Sequence, residues 1–286
     1  MKIGIDSYCY HRYLGEIYPF QETTSRRMTF PEVIRRAKEL GGDGVSLETC
    51  FLPEDEAGLQ AIRRSLDETG LEVLLAWGHP DGFEGGSRPE MMKDLEKHLR
   101  LCEILGTSVM RVVGSSLAFR HEPHGPQIER LIRLFREITP QAQDRGITLG
   151  IENHLDFSSR EILEIVDGVA SPHFGITMDT GNALRNGENP VDVARAFAGR
   201  IVATHIKDVL PLYGGNPADW YFFACVPIGR GIIDFPALLK ALEEGGYHDL
   251  LAVEIDYLHP DFGEEDAAVE ESIKYLKKYR DGSGGR

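Results

Sequence analysis

Short apolar runs recur along the chain, separated by longer stretches in which apolar residues return at every third or fourth position. The runs KIGID (2–6), GVSLE (44–48), EVLLAWG (72–78), VMRVVG (109–114), ITLGIE (147–152), FGITMD (174–179), IVATHI (201–206) and LLAVEI (250–255) predict eight strands. They are apolar throughout instead of alternating, which suits strands covered on both faces in a parallel sheet. The stretches FPEVIRRAKEL, EMMKDLEKHLRLCEIL, IERLIRLFREITPQAQ and FPALLKALEEG read as amphipathic helices. Ser158 with Glu161 forms a capping-box pattern, Asn189 before Pro190 marks a helix start, and Gly41 and Gly245 mark helix stops.

Eight strand and helix pairs follow one another without a linker rich in Gly, Ser or Pro. Residues 1–286 are therefore expected to form one α/β domain, a (β/α)8 TIM barrel, with 280–286 as a frayed tail. A doubly wound open sheet is the alternative. Against it, SYCYHRYLGE follows the first strand where a dinucleotide-binding fold would place a G-x-G-x-x-G turn.

Composition narrows the function more than the fold. A chain of 286 residues with a net charge of −15 repels phosphate backbones and anionic lipid, so no nucleic-acid or membrane partner is expected. No apolar run approaches the roughly 20 residues of a membrane helix. Cys9, Cys50, Cys102 and Cys225 lack any C-x-x-C spacing, and they read as reduced thiols of a cytoplasmic protein.

In such a barrel the catalytic groups stand at the C-terminal ends of the strands. Those ends carry Asp6, Glu48, His79, Arg111, Glu152, Asp179, His205 and Glu254, in strand order. Taken singly, these residues have ordinary roles: Asp179 as a helix cap, His205 as a core histidine, Glu254 as an ion-pair partner of Lys207. Taken together, their register points elsewhere. Glu152, Asp179 and His205 are 27 and 26 residues apart, close to the length of one βαβ unit, and Glu254 follows after a long seventh loop. Three carboxylates and an imidazole at one mouth predict one divalent metal ion, with Mn²⁺, Mg²⁺, Co²⁺ and Zn²⁺ all compatible with the donor set.

The motifs GIENH, MDTGN, THIKD, GRGIIDF and AVEID resemble those of the xylose isomerase-like TIM-barrel superfamily, which includes sugar isomerases and epimerases, inosose dehydratases and the apurinic endonuclease branch. In the ketose 3-epimerase branch, the residues matching Glu152, Asp179, His205 and Glu254 bind one metal, usually Mn²⁺. That resemblance also implies that Glu152 and Glu254 act as acid and base on the sugar. Two positions depart from the epimerase pattern. Asn182 stands where the superfamily often has histidine, and HIKDVLP lacks the arginine that follows the seventh-strand histidine in epimerases.

The expected activity is therefore sugar isomerisation or epimerisation, by proton abstraction next to a carbonyl through an enediolate stabilised by the metal. A lyase or dehydratase acting on an oxidised sugar, an inosose or a 3-oxo-glycoside is the alternative, favoured by HIKD and by the loop 208–233. A phosphodiesterase of the apurinic endonuclease type is disfavoured by Asn182 and by the charge. His11, His79, Arg111, His154, Asn182, Lys207, Trp220 and Arg230 are the candidate carbohydrate-binding residues. The loop 208–233 exceeds the usual length of a structureless connection, which predicts a lid or binding loop. Its four successive aromatics, 220–223, suit an apolar part of the substrate or a contact in a homo-oligomer.

Overall fold

Ten strands form in the computed structural model, which describes residues 1–78 and 82–282. They are β1 (Lys2–Asp6), β2 (Gly44–Glu48), β3 (Glu72–Ala76), β4 (Val109–Val112), β5 (Thr148–Glu152), β6 (Phe174–Asp179), β7 (Ile201–Ile206), β8 (Asp208–Pro211), β9 (Phe223–Val226) and β10 (Leu250–Val253). Eight of them close into a parallel barrel in the order β1-β10-β7-β6-β5-β4-β3-β2, so the expected (β/α)8 barrel is the fold. The open-sheet alternative is excluded by that closure, in which β1 pairs with both β10 and β2.

The period-two geometry of a strand accounts for how the barrel is filled. Leu74, Ala203, Leu250 and Ala252 form a small apolar cluster distinct from the main core. His205 lies two residues beyond Ala203, and Glu254 two beyond Ala252, so each continues on the same side of its strand toward the mouth. The larger cluster packs strand residues such as Ile5, Val45, Leu75 and Ile151 against the surrounding helices.

Those helices start where their caps place them. Ser158 and Glu161 form the capping box of the helix Ser159–Val169, and Asn189 caps Pro190–Ala196 with Pro190 in its first turn. The helix His124–Asp144 begins before the apolar repeat does and runs through Pro140, whose ring faces solvent. No helix among the described residues is long and apolar enough to cross a membrane.

The loop 208–233 departs most from expectation. It folds into an antiparallel hairpin in which β8 pairs with β9, from Asp208 opposite Val226 to Pro211 opposite Phe223. The root of the hairpin is organised by one carboxylate. Asp208 accepts the backbone N–H groups of Val209 and Ile233 on Oδ1, at 2.9 and 3.2 Å, and those of Gly229 and Gly231 on Oδ2, at 2.9 and 2.8 Å. This grip explains why HIKD and GRGIIDF occur together: a Cβ at position 231 would fall 2.1 Å from Asp208 Oδ1.

Removing that acceptor leaves four amide donors unpaired, those of Val209 and Ile233 in buried residues. Asp208→Ala is expected to lower stability by about 3 kcal/mol in urea unfolding, and Asp208→Asn by less because one oxygen remains. A loss under about 1 kcal/mol for the alanine variant would contradict the assignment.

Candidate metal centre

Four strand ends deliver the central group. Glu152 closes β5, Asp179 closes β6, His205 lies on β7 directly opposite Asp179, and Glu254 follows β10. One ligand atom from each of Glu152, Asp179, His205 and Glu254 lies within 4.8 Å of the others, and all four residues are buried. His205 Nδ1 stands between the glutamates, 3.2 Å from Glu152 Oε1 and 2.7 Å from Glu254 Oε2. Its Nε2 faces Asp6 Oδ2 at 3.5 Å. A second group, Asp6, Glu48 and His205, shares the same imidazole.

The neighbouring motif residues hold this frame. Asn153 exchanges two hydrogen bonds with the backbone of Asp179, accepting from its N and donating to its O, both at 2.8 Å. The Thr180 hydroxyl donates to the Lys207 carbonyl and accepts from the Lys207 amide, locking the ends of β6 and β7 together. Gly181 lets the Lys207 stem pass, since a Cβ there would meet it at 2.8 Å. Asp179 also caps the helix Thr180–Arg185 through Asn182 N. The ordinary roles of Asp179 and Glu254 thus coexist with their convergence at the mouth.

Three basic side chains are buried among the acids. Lys207 Nζ reaches Asp179 at 2.8 Å, and Glu254 and Asp256 at 2.9 Å each. Arg111 pairs with Glu48, approaches Glu152 at 3.1 Å and donates to the Trp77 carbonyl. Arg185 grips Asp256 with both terminal nitrogens and also donates to the Phe223 carbonyl of β9.

Protonation follows from these contacts. Burial pushes the Glu152 carboxyl up, but Arg111 and His205 outweigh it and hold the group well below its ordinary range. Glu254 is likewise raised by burial and lowered further by Lys207 and His205, to about 2. Burial lowers His205, yet Glu254 and Glu152 raise it well above the ordinary imidazole value. Asp179 stands apart: burial carries it up to about 7 despite Lys207, with Glu254 and Glu152 adding repulsion.

That strain is the sign of a place for further positive charge. In addition, Glu152 Oε2, Asp179 Oδ2 and Glu254 Oε2 are buried, each held by an ion-pair contact, with Arg111, Lys207 and His205 respectively. An oxygen-rich set of three carboxylates with one imidazole can hold a divalent ion.

A cavity of about 320 Å³ opens above the group. Of the residues expected to meet substrate, Arg111, His154, Asn182, Lys207 and Trp220 line it. His154 is kept neutral by burial, which lowers it to about 4. Asn182 Nδ2 lies 3.5 Å from Glu152 Oε1. His11 does not line the cavity: its ring stacks on Tyr8 behind the aromatic wall, and Nδ1 meets the Glu16 carbonyl. Arg230 is also placed elsewhere, about 59% exposed and paired with Glu271, because the GRG turn serves the hairpin root. His79 lies outside the described residues. Of the other aromatics, Trp77 is buried with its indole N–H on Asp94, and Tyr10 bonds Asp266 on the outer side.

Sequence reasoning missed Tyr18 and Arg185. Tyr18 lies in the first βα loop, where no motif marks it. Arg185 carried a weak signal, three residues after Asn182, but its partner Asp256 is distant in sequence.

The comparisons with known proteins agree with this geometry. Residues 34–279 match the family model described as xylose isomerase-like TIM barrel. The chain belongs to that family. Within the xylose isomerase-like family, it is 26% identical to the 3-oxo-isoapionate decarboxylase of Pectobacterium atrosepticum over 65% of this chain and 62% of that protein. It therefore spans a little under two thirds of that relative. It is 25% identical to a putative L-ribulose-5-phosphate 3-epimerase of Escherichia coli, over 82% of this chain and 87% of that one. The fold matches a crystal structure of D-psicose 3-epimerase with a TM-score of 0.77, 16% identity and full coverage of both chains.

Two outcomes are expected. Manganese added to the chelator-stripped protein at a hundredfold excess over its dissociation constant should stabilise it by about 2.7 kcal/mol, and Asp179→Asn should abolish the gain in a thermal melt. Separately, buried Asp156 is raised by burial to about 7. Its neutral form favours the fold fully below about pH 4, its unfolded value, and that stability is lost as pH rises toward 7. Asp156→Asn should flatten this decline and be the more stable protein at pH 8 in denaturant titrations. Parallel curves for the two proteins would refute the assignment.

Proposed function

We propose that the chain is a divalent-metal-dependent sugar isomerase or epimerase that moves a proton next to a carbonyl. The observation that carries this reading is the pair of buried glutamates, Glu152 and Glu254, converging on one imidazole at the floor of a cavity. Glu152, Asp179, His205 and Glu254 would hold the ion, and the name of the epimerase relative supports the sugar chemistry. Mn²⁺ is the ion we infer, from the mixed oxygen and nitrogen donors. When bound there, a divalent ion would supply positive charge to an oxygen that becomes anionic as the neighbouring carbon loses its proton.

The rest is done by side chains. One glutamate takes the proton from carbon, and the other returns it; return to the opposite face epimerises the centre, return to the neighbouring carbon isomerises the sugar. Arg111 keeps Glu152 ionised and oriented as the acceptor. Lys207, within 2.9 Å of Glu254, stabilises that carboxylate while the substrate is neutral. Asn182 and His154 face the cavity and orient hydroxyl groups.

A second reading, a lyase or dehydratase on an oxidised sugar, is favoured by Lys207. Its ammonium group is a proton donor beside Glu254, which a departing hydroxyl could use, and one relative is named a decarboxylase. The four cysteines are free thiols, which supports a cytoplasmic setting.

Deuterium separates these readings. In D₂O, the Mn²⁺-loaded protein should return ketoses carrying deuterium at the epimerised or isomerised carbon. Glu152→Gln and Glu254→Gln should each reduce this by at least about a hundredfold. Loss of water or of a leaving group, without recovery of a labelled ketose, would establish the lyase reading instead.

A further inference from the structure

The cavity above the metal centre is unusual in its balance of charge, and this bears on which sugars it admits. Six buried carboxylates gather at the mouth: Asp6, Glu48, Glu152, Asp179, Glu254 and Asp256. Among the described residues lining the cavity, the basic side chains are Arg111, Arg185 and Lys207. Four of those carboxylates, Glu48, Glu152, Glu254 and Asp256, line the cavity itself, so acids outnumber bases on its surface.

None of the three basic groups is idle. The three ammonium hydrogens of Lys207 are matched by three carboxylates. Arg185 is spent on Asp256 and the Phe223 carbonyl, and its guanidinium lies 5.3 Å over the Trp220 ring. Arg111 is spent on Glu48, Glu152 and the Trp77 carbonyl. An anionic substituent would have to strip a cation from a buried carboxylate, leaving that carboxylate unpaired.

Among the described residues the lining carries no further Lys or Arg. Beside the neutral donors Ser116 and Asn182, Tyr18, Leu117, Ala118, Leu155 and Trp220 give it an aromatic and apolar wall. Tyr18 and Trp220 meet edge to face at 5.3 Å, joining the first βα loop to the hairpin across the opening. Such a wall fits the carbon face of a sugar or an apolar substituent, and it provides no guanidinium fork for a phosphate.

We propose that this site selects uncharged sugars and rejects their phosphorylated and carboxylated counterparts. The inference rests on the reading of the site as a metal-dependent sugar enzyme. It separates this chain from the relative whose name includes a phosphate ester. Selectivity here comes from repulsion and from occupied cations as much as from attraction.

The test uses matched probes on the Mn²⁺-loaded full chain: D-fructose against D-fructose 6-phosphate, and L-ribulose against L-ribulose 5-phosphate. Binding is read from the fluorescence of Trp220 in a Trp77→Phe background, and turnover by NMR. Each uncharged sugar is expected to bind at least about tenfold more tightly than its phosphate. Leu117→Arg, which adds an unpaired cation to the apolar wall, should narrow that gap by about tenfold or more.

Equal or tighter binding of a phosphate to the unmodified site overturns the proposal, as does an unchanged gap in the Leu117 variant. Absence of binding by all four probes also overturns it. Tight binding of the uncharged sugars without deuterium exchange or product formation sinks the proposed activity instead, and leaves the selectivity standing.

Discussion

The mouth of the barrel holds more negative charge than its basic side chains neutralise, and the rest of the upper structure is arranged around that imbalance. Ionised carboxylates cost several kcal/mol each to bury unless they are paired and hydrogen-bonded. Arg111, Lys207 and Arg185 are therefore drawn into the interior, each shared between acids or between an acid and a carbonyl. Arg185 carries the constraint outward, because the same guanidinium that answers Asp256 also fastens the hairpin through Phe223. The aromatic roof depends in this way on the charge below it.

The fold was legible because its strands and caps are local signals. The boundaries of β1, β2, β6 and β7 agree with the apolar runs that predicted them, and Ser158 and Asn189 cap the helices that they announced. The third, fourth and eighth barrel strands end two residues earlier than their apolar runs. Trp77, Val113 and Ile255 continue the hydrophobic pattern past the strand ends into buried connections. The hairpin of β8 and β9 was not legible. Its stability comes from Asp208 gripping amides up to 25 residues away, which periodicity does not reveal.

The central four residues were legible for a different reason: barrel symmetry turns sequence spacing into spatial register. Where a side chain acts through a partner with no such spacing, the signal fades. Arg230 looked available within its motif, yet the turn that carries it exists to meet Asp208 and points the side chain at Glu271. His11 stands near a strand end, but its ring is absorbed into the stack with Tyr8 and Tyr18. Arg185 joins the mouth from the far end of a short helix, and only the folded chain brings it to Asp256.

The grip of Asp208 lies at the root of the hairpin, while the connection at its tip meets solvent, with Tyr213 fully exposed. Root and tip are thereby mechanically separate. The tip can be lengthened, shortened or given other side chains without touching the Asp208 contacts or the acidic floor. For protein engineering the hairpin is an interchangeable cassette, seated on an anchor of its own.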